Sequence, residues 1–301
     1  MDAALVKSLQ DQGLDIELDK DLSTMSSLGT GGRAECLATP HHIGQLAALL
    51  DLADGHGIPV TVVGSLTNTL VSDDGIRGIV LSTRSIRGIV IKGDLLTAYA
   101  GEKLDEVINR AIGHNLSGLE ELGGIPGTVG GATFGNAGAN GKDISTYFFY
   151  SDYITKDGRI RRMPSYSDAF SYRHSPFTDD DIILSTAFRL IPNRDTAESR
   201  KRKEHFKQMR MEKGQFKYPS IGSIFRNPPL LSAGRLIDEA GLKGFVHKGA
   251  MVSPYHANFI VNAGGATSRD IWELSQIVMT AVERKFNITL EYEIRMLGKF
   301  D

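Results

Sequence analysis

A mixed fold of strands and helices in two or three packed units is what this sequence predicts, and three observations predict it. The chain of 301 residues exceeds the ~150 usual for one domain. Short apolar runs bounded by Gly, Pro and Asp read as strands and are interleaved with stripes of helical period. Three glycine-containing loops, 28–32, 62–68 and 117–141, fall in the N-terminal half. The last holds nine glycines interspersed with Leu119, Leu122, Ile125, Val129 and Phe134, so it is an ordered, tightly turned segment rather than a linker. Such a run is a backbone cradle for a phosphate or a flat cofactor, and Pro126 stiffens its middle. A set of turns packed between strands is the bland alternative for one cluster; three loops together point to one long anionic ligand.

Composition bounds the rest. A hydrophobic content of 41% and a charged content of 23% fit a soluble globular chain with a sizeable core. A net charge of −2 leaves no electrostatic footprint for nucleic acid. The single Cys36 excludes an intrachain disulfide, and no signal peptide or membrane-length apolar run is recognised, so the expected compartment is the cytoplasm.

Residues 1–25 are a short amphipathic start. Gly29, Gly31 and Ala34 fit G-x-G-x-x-A, but with no strand before and no helix after them a Rossmann site is rejected. Residues 34–38 read as a strand. A helix opens at Thr39-Pro40, with Pro at its first position and Ile43, Leu46, Leu49, Leu50 and Ala53 inward. Gly57-Ile58-Pro59 ends it, and 60–63 is a strand running into the loop at Gly64. Strand, helix, strand implies a parallel pair, with ligand loops at the carboxyl ends of the strands. Residues 79–81 and 86–91 are further strands, with a turn at 92–94. Leu104, Val107, Ile108 and Ala111 form a helical stripe before the glycine-rich centre.

Beyond that centre, 147–155, 159–163 and 182–190 read as strands, with Lys156-Asp157-Gly158 as a hairpin turn. Residues 199–217 carry eight Lys or Arg against Glu204 and Glu212, a solvated helix face or a phosphate-facing patch. A composition break at 218–229 follows. Residues 233–240 form a helix stopped by Gly241, and 257–261 a strand. Thr267 and Asp270 form a capping box for a helix with Ile271, Leu274, Val278 and Val282 inward, closed by Asn287. A final strand over 288–297 alternates, with Ile288, Leu290, Tyr292, Ile294 and Met296 on one face and Glu291, Glu293 and Arg295 on the other.

Seven stretches occur in a telling order: Leu116-Ser-Gly-Leu-Glu, Gly124-Ile-Pro-Gly-Thr-Val-Gly-Gly-Ala, Asn136-Ala-Gly, Tyr172-Arg-His-Ser-Pro-Phe, Gly222-Ser-Ile-Phe-Arg-Asn-Pro, His256-Ala-Asn-Phe-Ile-Val-Asn and Leu290-Glu-Tyr-Glu-Ile-Arg. From about Ser26 to Gly298 the chain thereby resembles the UDP-N-acetylenolpyruvoylglucosamine reductase (MurB) family, in its compact type II form. The resemblance implies an α+β protein with a two-subdomain FAD-binding fold of the vanillyl-alcohol-oxidase/PCMH type and a C-terminal α+β substrate domain. The expected division is 1–82 and 83–198 for the FAD-binding subdomains and 199–301 for the substrate domain.

The implied activity is a step of peptidoglycan precursor synthesis: reduction of UDP-N-acetylglucosamine enolpyruvate to UDP-N-acetylmuramate with FAD and NADPH. The partner is a small nucleotide sugar, with neither nucleic acid nor membrane, and no metal; no oligomeric state follows. By motif, the resemblance makes Arg173, Ser223 and Glu293 catalytic. It gives cofactor contacts to Gly31, Gly32, Gly64, Ser65, Thr67, Asn68, Gly124, Ile125, Pro126, Gly127, Gly130, Gly131, Asn136, Ala137 and Gly138. Tyr172, Lys213, Asn227, His256 and Asn258 go to the substrate side. In two places the chain departs from the family pattern. Ser26-Ser27 replaces a usual Asn-Thr, and Leu66 replaces a glycine of the phosphate loop, where a side chain is expected to crowd the diphosphate.

The chemistry suits these residue types. Hydride addition to the terminal vinyl carbon leaves negative charge on the neighbouring carbon and its carboxylate, which positioned donors and charge stabilise. Arg173 is a permanently charged planar fork matched to a carboxylate, although a surface ion pair is the commoner fate of an arginine. Ser223 follows a glycine that gives its hydroxyl room to act as proton donor; a turn serine would look the same. Glu293 lies on the polar strand face, where a protonated carboxyl would donate a hydrogen bond to an enolate-like charge, as burial can arrange; a solvated face is its plain alternative. Two rivals remain: a flavin-deficient nucleotide-sugar-binding protein, for which Leu66 speaks, and an FAD oxidase of the wider fold, which leaves the matches around Gly222 and Glu293 unexplained.

Overall fold

Leu5 and Leu9 give residues Ala3–Asp11 an apolar side, and they form α1. Asp15–Asp21 then forms β1, a strand hidden in the sequence because its charged residues have low strand propensity. The structure is a computed structural model that describes residues 1, 3–165 and 169–300. β2 (Arg33–Thr39) starts directly after the first glycine loop. α2 (Ile43–Gly55) begins three residues beyond the expected start: its N-cap is His42, whose ring nitrogen accepts the Gln45 N–H at 3.3 Å. Pro40 therefore precedes the helix. β3 (Val60–Val63), β4 (Thr69–Val71) and β5 (Ile76–Ser82) follow. The expected pairing of the strands flanking α2 is corrected, because β5 lies between β2 and β3 in the order β1-β2-β5-β3. The parallel pair is β3 with β5, Val60 opposite Ile79 and Val63 opposite Ser82.

The chain divides into two units, each discontinuous in sequence. Unit 1 comprises Met1–Leu18, Glu35–Ser65 and Arg77–Gln208. Its five-stranded antiparallel sheet has the order Ile160–Pro164, Phe148–Thr155, Asp181–Arg189, β7 (Leu95–Tyr99), β6 (Ile89–Lys92). Two hairpins build it. Gly93-Asp94 joins β6 to β7, Lys92 opposite Leu95, and 156–158 turns between Ile154 and its partner Ile160. The strand expected from residue 86 starts only at Ile89, since Ile86 closes a buried 3₁₀ turn. α3 (Leu104–Gly113) buries Leu104, Val107, Ile108 and Ala111 against Leu96, Phe148 and Phe188. The glycine-rich centre contains the short α4 (Val129–Phe134), capped by the Thr128 hydroxyl. A second core joins α1 and α2 to Ile79, Leu81, Ile154 and Leu184 and holds Cys36, whose thiol burial pushes up to about 11. α5 (Thr196–Glu212) runs through this unit as far as Gln208.

Unit 2 comprises Asp19–Ala34, Leu66–Ile76 and Met209–Asp301. Its antiparallel sheet orders Ser220–Ser223, Phe259–Asn262, Ala250–Val252 and Val246–His247. α6 (Ala233–Glu239) and α7 (Ser268–Phe286) contribute Leu236, Ile237, Ile271, Leu274, Val278 and Val282 to its core. The Thr267 and Asp270 capping box is reciprocal, and Asn287 closes α7 in the left-handed region at φ 55°. The expected strand over 288–297 is corrected to Arg295–Leu297, parallel to β4. Tyr292 makes one bridge to Phe225 and bonds to Ser275 and Gln276 of α7, each at 2.6 Å. That anchorage draws the segment off a regular ladder, and the alternation fails beyond Ile294, where Met296 is exposed and Leu297 buried.

Candidate active site

In unit 1 the end of β3 meets the glycine-rich centre. A Cβ at Gly64 would stand 2.9 Å from the Thr128 hydroxyl, so two glycine stretches distant in sequence form one surface with Ser65 beside it. Around the centre, Gly124 and Gly127 have φ of 77° and 124°, flanking Ile125 and Pro126. A Cβ at Gly130 would stand 2.9 Å from that of Ala100, so its glycine is required by packing, whereas Gly131 has room, its nearest neighbour being the Thr128 hydroxyl at 3.6 Å. A surface of backbone and small side chains, with no Cβ at its closest approach, gives a flat flavin nucleotide room to lie against the main chain. Thr128, which joins the two stretches here and caps α4, was not among the expected site residues; its place before Val-Gly-Gly, as a helix N-cap, was the available signal.

The Asn136-Ala137-Gly138 motif has a more inward task. Asn136 is 1% exposed; its amide nitrogen donates to the Ser171 carbonyl at 2.9 Å and its oxygen accepts the Ser145 N–H at 3.0 Å. The Ala137 N–H donates to the Ala132 carbonyl. The Gly138 carbonyl accepts from the Arg173 guanidinium at 3.0 Å. Arg173 itself is in the left-handed region at φ 55°, and its guanidinium lies 5.1 Å from the centre of the half-exposed Tyr172 ring. The motif therefore clamps the arginine loop from both ends.

In unit 2 the two other catalytic candidates lie on adjoining segments. The pairing of Ser220–Ser223 with Phe259–Asn262 is broken between Ser220 and Ser223, and Gly222 there has φ 83°. This is a bulge that re-aims the residue after it. The Glu293 N–H donates to the Ile224 carbonyl at 2.8 Å, next to Ser223. Asn68 spans the same place: its amide donates to the Glu293 carbonyl at 3.2 Å and its carbonyl accepts the Arg295 N–H at 3.0 Å. Asn258 is buried, its amide pairing with both main-chain groups of Phe225 at 3.0 and 2.8 Å, so it shapes the Ser223 segment from within. Asn227 accepts the Ala233 N–H at the start of α6 at 3.0 Å.

The His256 ring packs 4.5 Å from the Phe259 ring. Burial, reinforced by the nearby Lys213 and Lys243 ammonium groups, pushes its pKa down. Its buried Nδ1 has no partner among the described residues. A neutral ring with two cations close by suits an anionic group. In the first loop, Gly32 needs to be glycine because a Cβ would lie 2.2 Å from the Asp73 carbonyl, and a Cβ on Gly31 would come within 3.2 Å of that of Val71. Leu66, in the left-handed region at φ 51°, is 3% exposed; Thr67 follows it half-buried. The leucine thus keeps the backbone path of a glycine and turns its side chain into the interior, so the expected crowding of a ligand does not follow.

Comparison with known proteins bears on both halves. Residues 214–297 match the UDP-N-acetylenolpyruvoylglucosamine reductase C-terminal domain family, and residues 34–164 the FAD binding domain family. Similar relatives include UDP-N-acetylenolpyruvoylglucosamine reductases of Rubrobacter xylanophilus, 40% identical over 94% of this chain and 95% of that one, and of Pediococcus pentosaceus, 38% identical over 92% and 93%. A crystal structure of the enzyme from Thermus caldophilus superimposes with a TM-score of 0.80 at 32% identity, over 95% of this chain and 99% of that one. A glucose dehydrogenase, Phl p 4.0202, shares the fold over 63% of this chain and 44% of its own at a TM-score of 0.51 and 12% identity. The α+β flavoprotein fold is thereby borne out. With relatives matched along nearly their whole length, the chain belongs to the UDP-N-acetylenolpyruvoylglucosamine reductase family.

Proposed function

We propose that this chain is a UDP-N-acetylmuramate dehydrogenase, reducing UDP-N-acetylglucosamine enolpyruvate with NADPH through FAD in peptidoglycan precursor synthesis. The observation that carries the reading is the Gly222 bulge, which presents Ser223 beside the Glu293 segment in a chain 38–40% identical to reductases of that name. A binding protein needs no aimed hydroxyl. When bound, FAD supplies the hydride and NADPH restores it.

The chain's residues do the rest. The glycine-rich turn with Gly64 and Ser65 holds the cofactor. Arg173, clamped by Gly138, takes the substrate carboxylate as a two-donor fork. Ser223 gives a proton to the carbon next to that carboxylate, and Glu293 steadies the charge there. Lys213 and His256 face the anionic nucleotide sugar, with Tyr172 and Asn227 at its rim. Among the described residues no helix is long and apolar enough to cross a membrane, and we place the reaction in the cytoplasm, where its nucleotide substrate and NADPH are. The test is purification followed by an NADPH oxidation assay. A yellow protein whose NADPH consumption depends on the enolpyruvyl sugar is expected; a preparation that stays colourless after incubation with FAD, or that consumes NADPH with oxygen alone, contradicts it.

A further inference from the structure

α5 is rich in cations, and one of them behaves differently from the solvated face or phosphate patch expected of it. Lys203 is 6% exposed. Its ammonium donates to Asp105 Oδ2 at 2.8 Å and to Asn109 Oδ1 at 2.7 Å, both on α3. Asp105 turns its other oxygen, Oδ1, to the N–H of Gly124 at 3.1 Å. One residue earlier, Gly123 leaves the lysine stem its space, since a Cβ there would stand 2.8 Å from Lys203 Cγ. At the far end of the turn the Leu104 N–H donates to the Gly127 carbonyl at 3.1 Å. Residues 124–127 are thus held at both ends by the first turn of α3, and at Gly124 the hold is a carboxylate oriented by a buried lysine.

An apolar residue at position 203 would fill the same space without the desolvation cost of an ammonium. The charge is explained if the carboxylate must be aimed. We infer that Lys203 and Asp105 are positioning residues for the cofactor turn, fixing the Gly123–Gly124 peptide so that the main chain of 125–127 is set before FAD arrives. Presetting the turn lowers the ordering cost of binding. The inference rests on the reading of 124–127 as a cofactor contact.

Full-length Asp105→Ala, Lys203→Met and Gly127→Ala proteins, freed of flavin, are titrated with FAD by quenching of its fluorescence, and their thermal unfolding is followed without FAD. Asp105→Ala should weaken FAD binding about tenfold, the loss of one charge-assisted hydrogen bond. Lys203→Met, which keeps the stem against Gly123, should weaken it in the same direction by less, and it alone decides if Asp105→Ala does not fold. A purely structural role would lower the unfolding temperature with affinity within twofold of the parent, and that result overturns the inference. Gly127→Ala separates the two readings. If it weakens FAD binding while the other variants do not, the turn contacts the cofactor and the positioning fails; if its affinity is unchanged, both fall.

Discussion

At the scale of single residues, two buried amides show how the site is made rigid. Asn136 and Asn258 were both legible as motif positions, yet each is buried and satisfied by main-chain partners. One fixes the loop of Arg173 and the other the segment of Ser223. An Asn that bonds a distant backbone carries no local signature, because its partner is chosen by the fold. Leu66 is the complementary case, where local chemistry suggested obstruction and burial removed it. Leu66→Gly should relieve about 1 kcal/mol of left-handed strain but leave a cavity whose cost for a leucine is about 2–5 kcal/mol. Denaturant unfolding should therefore show a net loss of about 1–4 kcal/mol, with FAD affinity unchanged. A large loss of FAD affinity would mean that Leu66 packs on the cofactor, and a gain in stability would mean that the strain outweighs the packing.

Among elements, those with strong local signals were readable. α7 announced its start, stripe and end because each signal acts locally: Thr267 pairs with Asp270 three residues on, and the Asn287 N–H donates to the Glu283 carbonyl four residues back. Thr267→Ala should destabilise by about 1 kcal/mol, checked as a lowered urea midpoint at unchanged slope; a midpoint equal to the parent's would show that Asp270 suffices. β1, β4 and β7 were not readable: β1 is mostly charged residues, β4 has three residues and pairs with the distant Arg295–Leu297, and β7 is buried by pairing with the distant Asp181–Arg189. The pairing of α3 with α5 was equally hidden, and it has a pH signature. Burial pushes the Asp105 carboxyl up, but the Lys203 ammonium and the Gly124 N–H outweigh it and hold it below its ordinary value. A carboxyl lower in the folded than in the unfolded state stabilises above its unfolded pKa, and that contribution disappears as pH falls through the folded value. The unfolding temperature of Asp105→Ala should lie below the parent's at pH 7, and the gap should shrink as the pH drops below the ordinary aspartate range. A gap independent of pH would contradict the charged pairing.

Over the whole molecule, the family and its chemistry were legible because seven motifs keep their order along the chain. The architecture was less so. Each unit is assembled from three separated stretches, and no local pattern tells that β5 inserts between β2 and β3 or that 28–32 packs beside 71–75. The central claim is that these stretches build a reductase in which Ser223 donates the proton. Stopped-flow absorbance under anaerobic conditions tests it most directly, in two steps on parent and Ser223→Ala proteins. NADPH should bleach the flavin of both at similar rates, since that step needs no acid near the sugar. UDP-N-acetylglucosamine enolpyruvate should then restore the colour of the parent, while Ser223→Ala recovers about 10²- to 10⁴-fold more slowly, the usual loss for a positioned acid. A parent whose colour the enolpyruvyl sugar does not restore, or a Ser223→Ala protein that recovers at the parental rate, would contradict the account.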